Sequence, residues 1–123
     1  MLIKICSLKE YTHVKNYYYI DENGNVFSFY KNEFKCKAKR IKKGYYYVNM
    51  MTHISEKSKD FRVNRIVAIA FIPNPYNLPI ADHKNDNKLD NYYTNLQWAT
   101  PSQNRMFSLG KMYREQISVY TYR

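Results

Sequence analysis

The hydrophobic period of this chain changes at residue 64, and that change limits what can fold on either side of it. Before residue 64 the apolar and aromatic residues come in short extended blocks, Tyr17-Tyr18-Tyr19-Ile20, Val26-Phe27-Ser28-Phe29-Tyr30 and Tyr45-Tyr46-Tyr47-Val48-Asn49-Met50-Met51. From Asn64 onward Ile66, Val67, Ile69, Ala70 and Phe71 fall at helical spacing, and Pro73-Asn74-Pro75 stops the run because a proline ring cannot continue a helix. The implied fold class is α+β: a β-rich first half followed by a buried helix.

The first two blocks flank Asp21-Glu22-Asn23-Gly24-Asn25, a five-residue loop containing Asn-Gly, so a β-hairpin is predicted there. A basic stretch, Lys35 to Lys43, closes at Gly44, and residues 45–51 read as a strand by β-propensity. Phe61-Arg62-Val63 is expected to pair back across the Ser55 to Asp60 turn. Residues 1–62 should therefore form a small antiparallel sheet with a positive face. After the helix, Ile80-Ala81-Asp82 reads as a short strand, Asn85 to Asn91 as a tight polar loop, and Leu96-Gln97-Trp98-Ala99 as a second short strand. Thr100 can cap a closing helix with Pro101 at its first position, and Gln103 completes a capping box. Residues 63–123 thus read as helix, strand, loop, strand, helix, and 123 residues suit one compact unit rather than two domains.

The net charge is +10, and residues 31–65 contribute +8 of it. Lys35, Lys37, Lys39, Arg40, Lys42, Lys43, Arg62 and Arg65 belong to that stretch, and such a surface attracts polyanions, nucleic acid first among them. The longest apolar run, Ile66 to Ile72, falls far short of the ~18 residues of a membrane span. Lys4 and Lys9 interrupt the N-terminus before a secretory apolar region can form, so a cytoplasmic protein is expected. Cys6 and Cys36 allow at most one disulfide and are expected to stay reduced; with His13, His53 and His83 they show no zinc spacing.

Chemistry concentrates late in the chain. Asp82-His83 ends a predicted strand, Asn95 follows the polar loop, and Asn104 falls in the first turn of the closing helix. A carboxylate and an amide oxygen form a partial shell for a hard cation, with water and phosphate oxygens completing it. An imidazole, with an ordinary pKa of about 6.5, can take a proton from water.

Three segments carry a resemblance: Val63 to Pro75, Ala81 to Asn91, and Thr94 to Asn104. Together they resemble the HNH homing endonucleases of phages and other viruses, whose active site is a ββα-metal, or His-Me finger, motif. The likeness covers residues 61–107 closely, and Tyr19-Ile20-Asp21 to Phe27-Ser28 with Gly44-Tyr45 resembles the family's N-terminal DNA-binding sheet more loosely. It implies Asp82 and Asn104 as ligands of one Mg²⁺ or Mn²⁺ ion per site, His83 as general base, and Asn95 as the residue that holds the loop. It also implies double-stranded DNA as partner and phosphodiester cleavage as activity; a monomer has one such site, which attacks one phosphodiester at a time, so a nick is expected as the first product. Lys84 and Arg105 beside the motif join the basic residues above as expected phosphate contacts. Two positions depart from the family: Asn64 stands where His is usual, for which packing or a helix cap is the expected role, and Asp86 stands where a loop often wants Gly for positive φ.

Blander readings apply to other residues. Tyr45, Tyr46 and Tyr47 read as sheet packing, Leu96 as core, Trp98 as packing beneath the metal site, and Asn85, Asn87 and Asn91 as turn formers without chemistry. The competing functional reading is a nucleic-acid-binding protein that keeps the fold without cleavage. A basic RNA-binding or structural protein is a third.

Overall fold

The computed structural model describes residues 1–55 and 57–106. The final part of the predicted 63–123 unit, beyond residue 106, lies outside the described residues. The architecture is α+β, and its strand pairs are antiparallel.

Nine strands are described: β1 (Ile3–Lys4), β2 (Tyr18–Ile20), β3 (Val26–Tyr30), β4 (Glu33–Cys36), β5 (Arg40–Lys42), β6 (Tyr45–Met51), β7 (Ser58–Arg62), β8 (Ile80–His83) and β9 (Leu96–Ala99). The expected N-terminal sheet is split in two, a four-stranded sheet ordered β1-β2-β3-β4 and a three-stranded sheet ordered β5-β6-β7. The predicted hairpin is β2 and β3, with Ile20 paired to Val26 across the Asn23-Gly24 loop. Asp21 shapes that loop: its Oδ1 accepts from the Asn23 and Asn25 backbone N–H groups at 3.0 and 2.8 Å.

The basic stretch, in which no strand is predicted, takes in the end of β4 and all of β5. Charged residues have low β-propensity, which hid both strands. Their turns made them possible. Lys31 and Asn32, with φ of 52° and 59°, close a two-residue hairpin between Tyr30 and Glu33. Lys43 and Gly44, with φ of 55° and 83°, do the same between Lys42 and Tyr45. On the other side of β6, β7 starts at Ser58, three residues before the expected pairing segment.

Asp60 ties the three-stranded sheet together by accepting from Asn49 Nδ2 at 2.9 Å, Arg40 Nη2 at 2.8 Å and Lys42 Nζ at 3.2 Å. The Asn49 amide, then the two cations, lowers its pKa to about 2. Because the folded value is depressed, the stability this carboxylate contributes is present above the ordinary carboxylate range and is lost as pH falls toward 2. A carboxyl-carbon NMR titration of Asp60 should therefore show a midpoint near 2, and Asn49→Ala should move it upward. An unchanged midpoint in the variant would remove the amide as the main cause.

Helix α1 (Val63–Phe71) begins as the β7 strand ends and is rich in β-branched residues, which do not favour a helix by themselves. Packing decides the matter. Val63, Ile66, Val67 and Ala68 are fully buried and share one core with Ile5, Val14, Ile20, Val26, Val48, Met50 and Leu96. Burying each large aliphatic side chain contributes about 1.5–3 kcal/mol. The core thus takes residues from both sides of position 62, and α1 is its centre. Asn64 lies within this helix rather than capping it: its Nδ2 donates to the Ala81 carbonyl at 2.9 Å, linking α1 to β8.

Downstream, β8 and β9 form a two-stranded ladder, with Asp82 opposite Gln97 and His83 opposite Leu96. The closing helix, α2, is described over residues 101–106. Its predicted capping box is present: Gln103 N–H donates to Thr100 Oγ1 at 3.1 Å, and Thr100 N–H donates to Gln103 Oε1 at 2.9 Å. Among the described residues, no helix is long and apolar enough to cross a membrane.

Candidate active site

Strand β8 and helix α2 deliver three of the four motif residues to one cavity. The cavity, of about 300 Å³, is lined by Asp82, His83 and Asn104 together with Arg62, Lys88 and Tyr45. Strict alternation sends neighbouring side chains of a strand to opposite faces, so Asp82 and His83 can share a site only if the strand ends there or its backbone is irregular. The ladder in fact stays regular through His83, and the chain turns immediately after it, with Asp86 N–H donating to the His83 carbonyl at 3.2 Å. His83 is the last paired residue of β8, so its ring is near the strand end while Asp82 remains beside β9.

Both side chains are buried, at 8% and 4% exposure for Asp82 and His83. Gln97 Nε2 donates to Asp82 Oδ2 at 3.0 Å, which uses one carboxylate oxygen and orients the other. His83 Nε2 lies 2.8 Å from Asn91 Oδ1, and the His83 ring is 6.1 Å from that of Tyr45.

Asn95 does not line this cavity; it holds the loop. Its Nδ2 donates to the Asp90 carbonyl at 2.8 Å and to Asn85 Oδ1 at 2.9 Å, while its Oδ1 accepts from Asn85 N–H at 3.1 Å. Lys84 N–H also donates to the Asn95 carbonyl at 2.7 Å. Asp86 has φ of 64°, the left-handed conformation anticipated for a position that often carries Gly.

The basic residues separate into distinct environments. Arg62 lines the cavity, stacks on Tyr45 at 4.1 Å and donates to Tyr47 Oη from Nη2 at 3.0 Å. Arg65 also lines it, but its guanidinium is engaged with Glu10 at 2.7 and 2.9 Å and with the Pro79 carbonyl at 2.6 Å. That pair lowers the Glu10 pKa and raises that of Arg65. Arg40 and Lys42 bond Asp60, Lys39 Nζ donates to the Gly24 carbonyl at 3.4 Å, and Lys35 pairs with Glu33 at 3.7 Å. Lys37 lies over the Tyr18 ring, and Lys43 occupies the β5–β6 turn. Lys84 is exposed, and Arg105 lies at a separate surface depression with Pro101, Ser102 and Met106.

Several residues read otherwise in the sequence belong to this region. Tyr45 and Tyr47 alternate away from the core residues Val48 and Met50 and hold Arg62 instead, so they are more than sheet packing. Lys88, 5.1 Å from the Tyr45 ring, reaches the cavity from the polar loop, and no local pattern announces it. Asn91, read as a turn former, is 3% exposed. Trp98 packs elsewhere: its Nε1 donates to the Ile72 carbonyl at 3.1 Å, beyond the end of α1, and it lines a different groove. The β9 alternation that puts Gln97 beside Asp82 turns Trp98 the other way.

A two-stranded ladder followed by a capped helix, with Asp-His at the end of the first strand and Asn in the helix, is the ββα-metal arrangement. No protein-family model matches the chain. It is 35% identical over 108 residues to an uncharacterized HNH endonuclease, L245, of Acanthamoeba polyphaga mimivirus, a match covering 85% of this chain and 32% of that protein. It is 34% identical over 98 residues to the DNA endonuclease I-HmuI of Bacillus phage SP01, covering 77% of this chain and 55% of that one. The solved structure of DNA binding and cleavage by the HNH homing endonuclease I-HmuI is similar to this fold with a TM-score of 0.70 at 30% identity, over 96% of this chain and 66% of that chain. The chain belongs to the HNH homing endonuclease family. It spans about a third of the first of these curated relatives and about half of the second.

Proposed function

We propose that this protein is a metal-dependent DNA endonuclease that hydrolyses phosphodiester bonds one strand at a time. The observation that supports it most is the convergence of Asp82, His83 and Asn104 on one cavity that Arg62 and Lys88 also line. Residues 63–123 would carry the nuclease motif and residues 1–62 much of the DNA-binding surface.

The donor set fits a hard divalent ion. Asp82 and Asn104 offer a carboxylate and an amide oxygen to the same cavity, and the described residues contain no cluster of three His, Cys, Asp or Glu that would suggest zinc. Those two residues would hold one Mg²⁺ or Mn²⁺, which when bound supplies positive charge against the scissile phosphate and the departing oxygen. Gln97 keeps the Asp82 carboxylate oriented, and Asn95 keeps the intervening loop in shape.

His83 takes a proton from water as the water oxygen attacks phosphorus. The bond from phosphorus to O3′ breaks as the new bond forms, and the leaving oxygen takes a proton from solvent. Arg62, held by Tyr45 and Tyr47, and Lys88 place positive charge where the phosphate enters. One such site attacks one phosphodiester at a time.

The test is purified protein with supercoiled plasmid, in Mg²⁺ and in chelator. Open circles should precede linear DNA, and only with metal. Direct conversion to linear form at low protein concentration would refute single-strand cutting, and cleavage in chelator would refute metal dependence. Binding without cleavage in any divalent ion would favour the non-cleaving reading.

A further inference from the structure

We propose that Asn91 is a positioning residue that fixes His83 as the tautomer protonated on Nε2, leaving Nδ1 as the base, and that the Gly24 turn holds Asn91 in place from behind. The role for Nδ1 rests on the reading of His83 as general base; the tautomer itself does not.

Asn91 Oδ1 lies 2.8 Å from His83 Nε2, and with the amide oxygen on that side Asn91 can only accept, which assigns the proton to the facing ring nitrogen. Both residues are buried, at 3% and 4% exposure, so solvent does not readily replace either partner. A neutral imidazole has one N–H, and fixing it on Nε2 leaves the lone pair on Nδ1. The backbone on the His83 side is also fixed, because His83 is paired with Leu96 in the β8–β9 ladder.

Support for Asn91 comes from the opposite end of the sequence. Gly24 has φ of 84°, and a Cβ built on it would lie 3.0 Å from Asn91 Cβ and 3.2 Å from Val63 Cγ1. Any side chain at residue 24 would push on Asn91, and the left-handed backbone independently favours glycine. Tyr93 N–H donates to the Glu22 carbonyl at 3.0 Å, pinning the segment after Asn91 to the same turn. The hairpin loop that reads in the sequence as a simple connection is thus the rear wall of the base, through Asn91.

The test is an imidazole ¹⁵N–¹H correlation spectrum of the full chain labelled at histidine, without metal or DNA, at a pH above the titration of the rings. The His83 signals are assigned by their loss in His83→Ala. The expected wild-type pattern is the Nε2–H tautomer. Asn91→Leu, similar in size but without the amide, should mix the tautomers and lower kcat by about 10- to 100-fold, with KM for DNA little changed. Asn91→Asp keeps an acceptor and should keep the Nε2–H pattern, and Gly24→Ala should mix the tautomers as Asn91→Leu does.

An Nδ1–H pattern in the wild-type protein would overturn the proposal, as would an unaltered pattern in folded Asn91→Leu. If that variant does not fold, the wild-type spectrum still decides. Cleaving protein with the Nδ1–H pattern would refute this inference alone. Protein that shows the Nε2–H pattern and its loss in Asn91→Leu, yet cuts nothing, would support the tautomer assignment and refute the nuclease reading.

Discussion

Replacing His83 with alanine should lower plasmid cleavage by about 10²- to 10⁴-fold, the range associated with removing a general base, while leaving DNA affinity nearly unchanged. The two effects should separate because, in the proposed mechanism, the imidazole acts on water, whereas phosphate is held by cations such as Arg62 and Lys88, which line the cavity. His83 is buried in contact with Asn91, so an empty space left by alanine could loosen the loop; thermal unfolding of the variant controls for that. Gel-shift affinity and single-turnover cleavage measured on the same preparation decide the point. Equal loss of binding and cleavage, with folding retained, would exclude the base assignment.

Changing Lys37, Lys39, Lys42 and Lys43 together to glutamine should weaken DNA binding most at low salt and flatten the dependence of affinity on salt. If all four met phosphates freely, the logarithmic slope would fall by nearly four, at about 0.9 per phosphate. The structure argues for about half of that. Lys42 already bonds Asp60 and Lys39 contacts the Gly24 carbonyl and the Tyr46 ring, whereas Lys37 and Lys43 have no carboxylate partner among the described ion pairs. A filter-binding series across salt concentrations measures the slope directly. An unaltered slope would put the DNA-binding face elsewhere on the chain.

Much of the local structure was legible in the order of residues. The β2–β3 hairpin followed from Asn23-Gly24 between two aromatic blocks, and the end of α1 from Pro73 and Pro75. The α2 capping box followed from Thr100, Pro101 and Gln103. These are short-range effects, decided by a few dihedral angles or one local hydrogen bond. The positive φ of Asp86 was legible only through the family resemblance, which puts Gly at that position. Strands β4 and β5 were not, because their residues are charged and the Lys31-Asn32 turn lacks the glycine that usually marks such a bend.

By itself the sequence determined the α+β class, the candidate set Asp82, His83, Asn95 and Asn104, and a cationic middle third. Only the tertiary structure decided where these residues lie and what they touch. It distinguished cations held inside the fold, such as Arg65 on Glu10, from those at the cavity, such as Arg62 on Tyr45. It also set Asn91 between Gly24 and His83, although Gly24 and Asn91 are 67 positions apart along the chain. The physical reason is range. A turn or cap is settled within four residues by sterics and local hydrogen bonds, whereas the partner of a guanidinium or an imidazole is whichever group the closed core brings within about 3 Å.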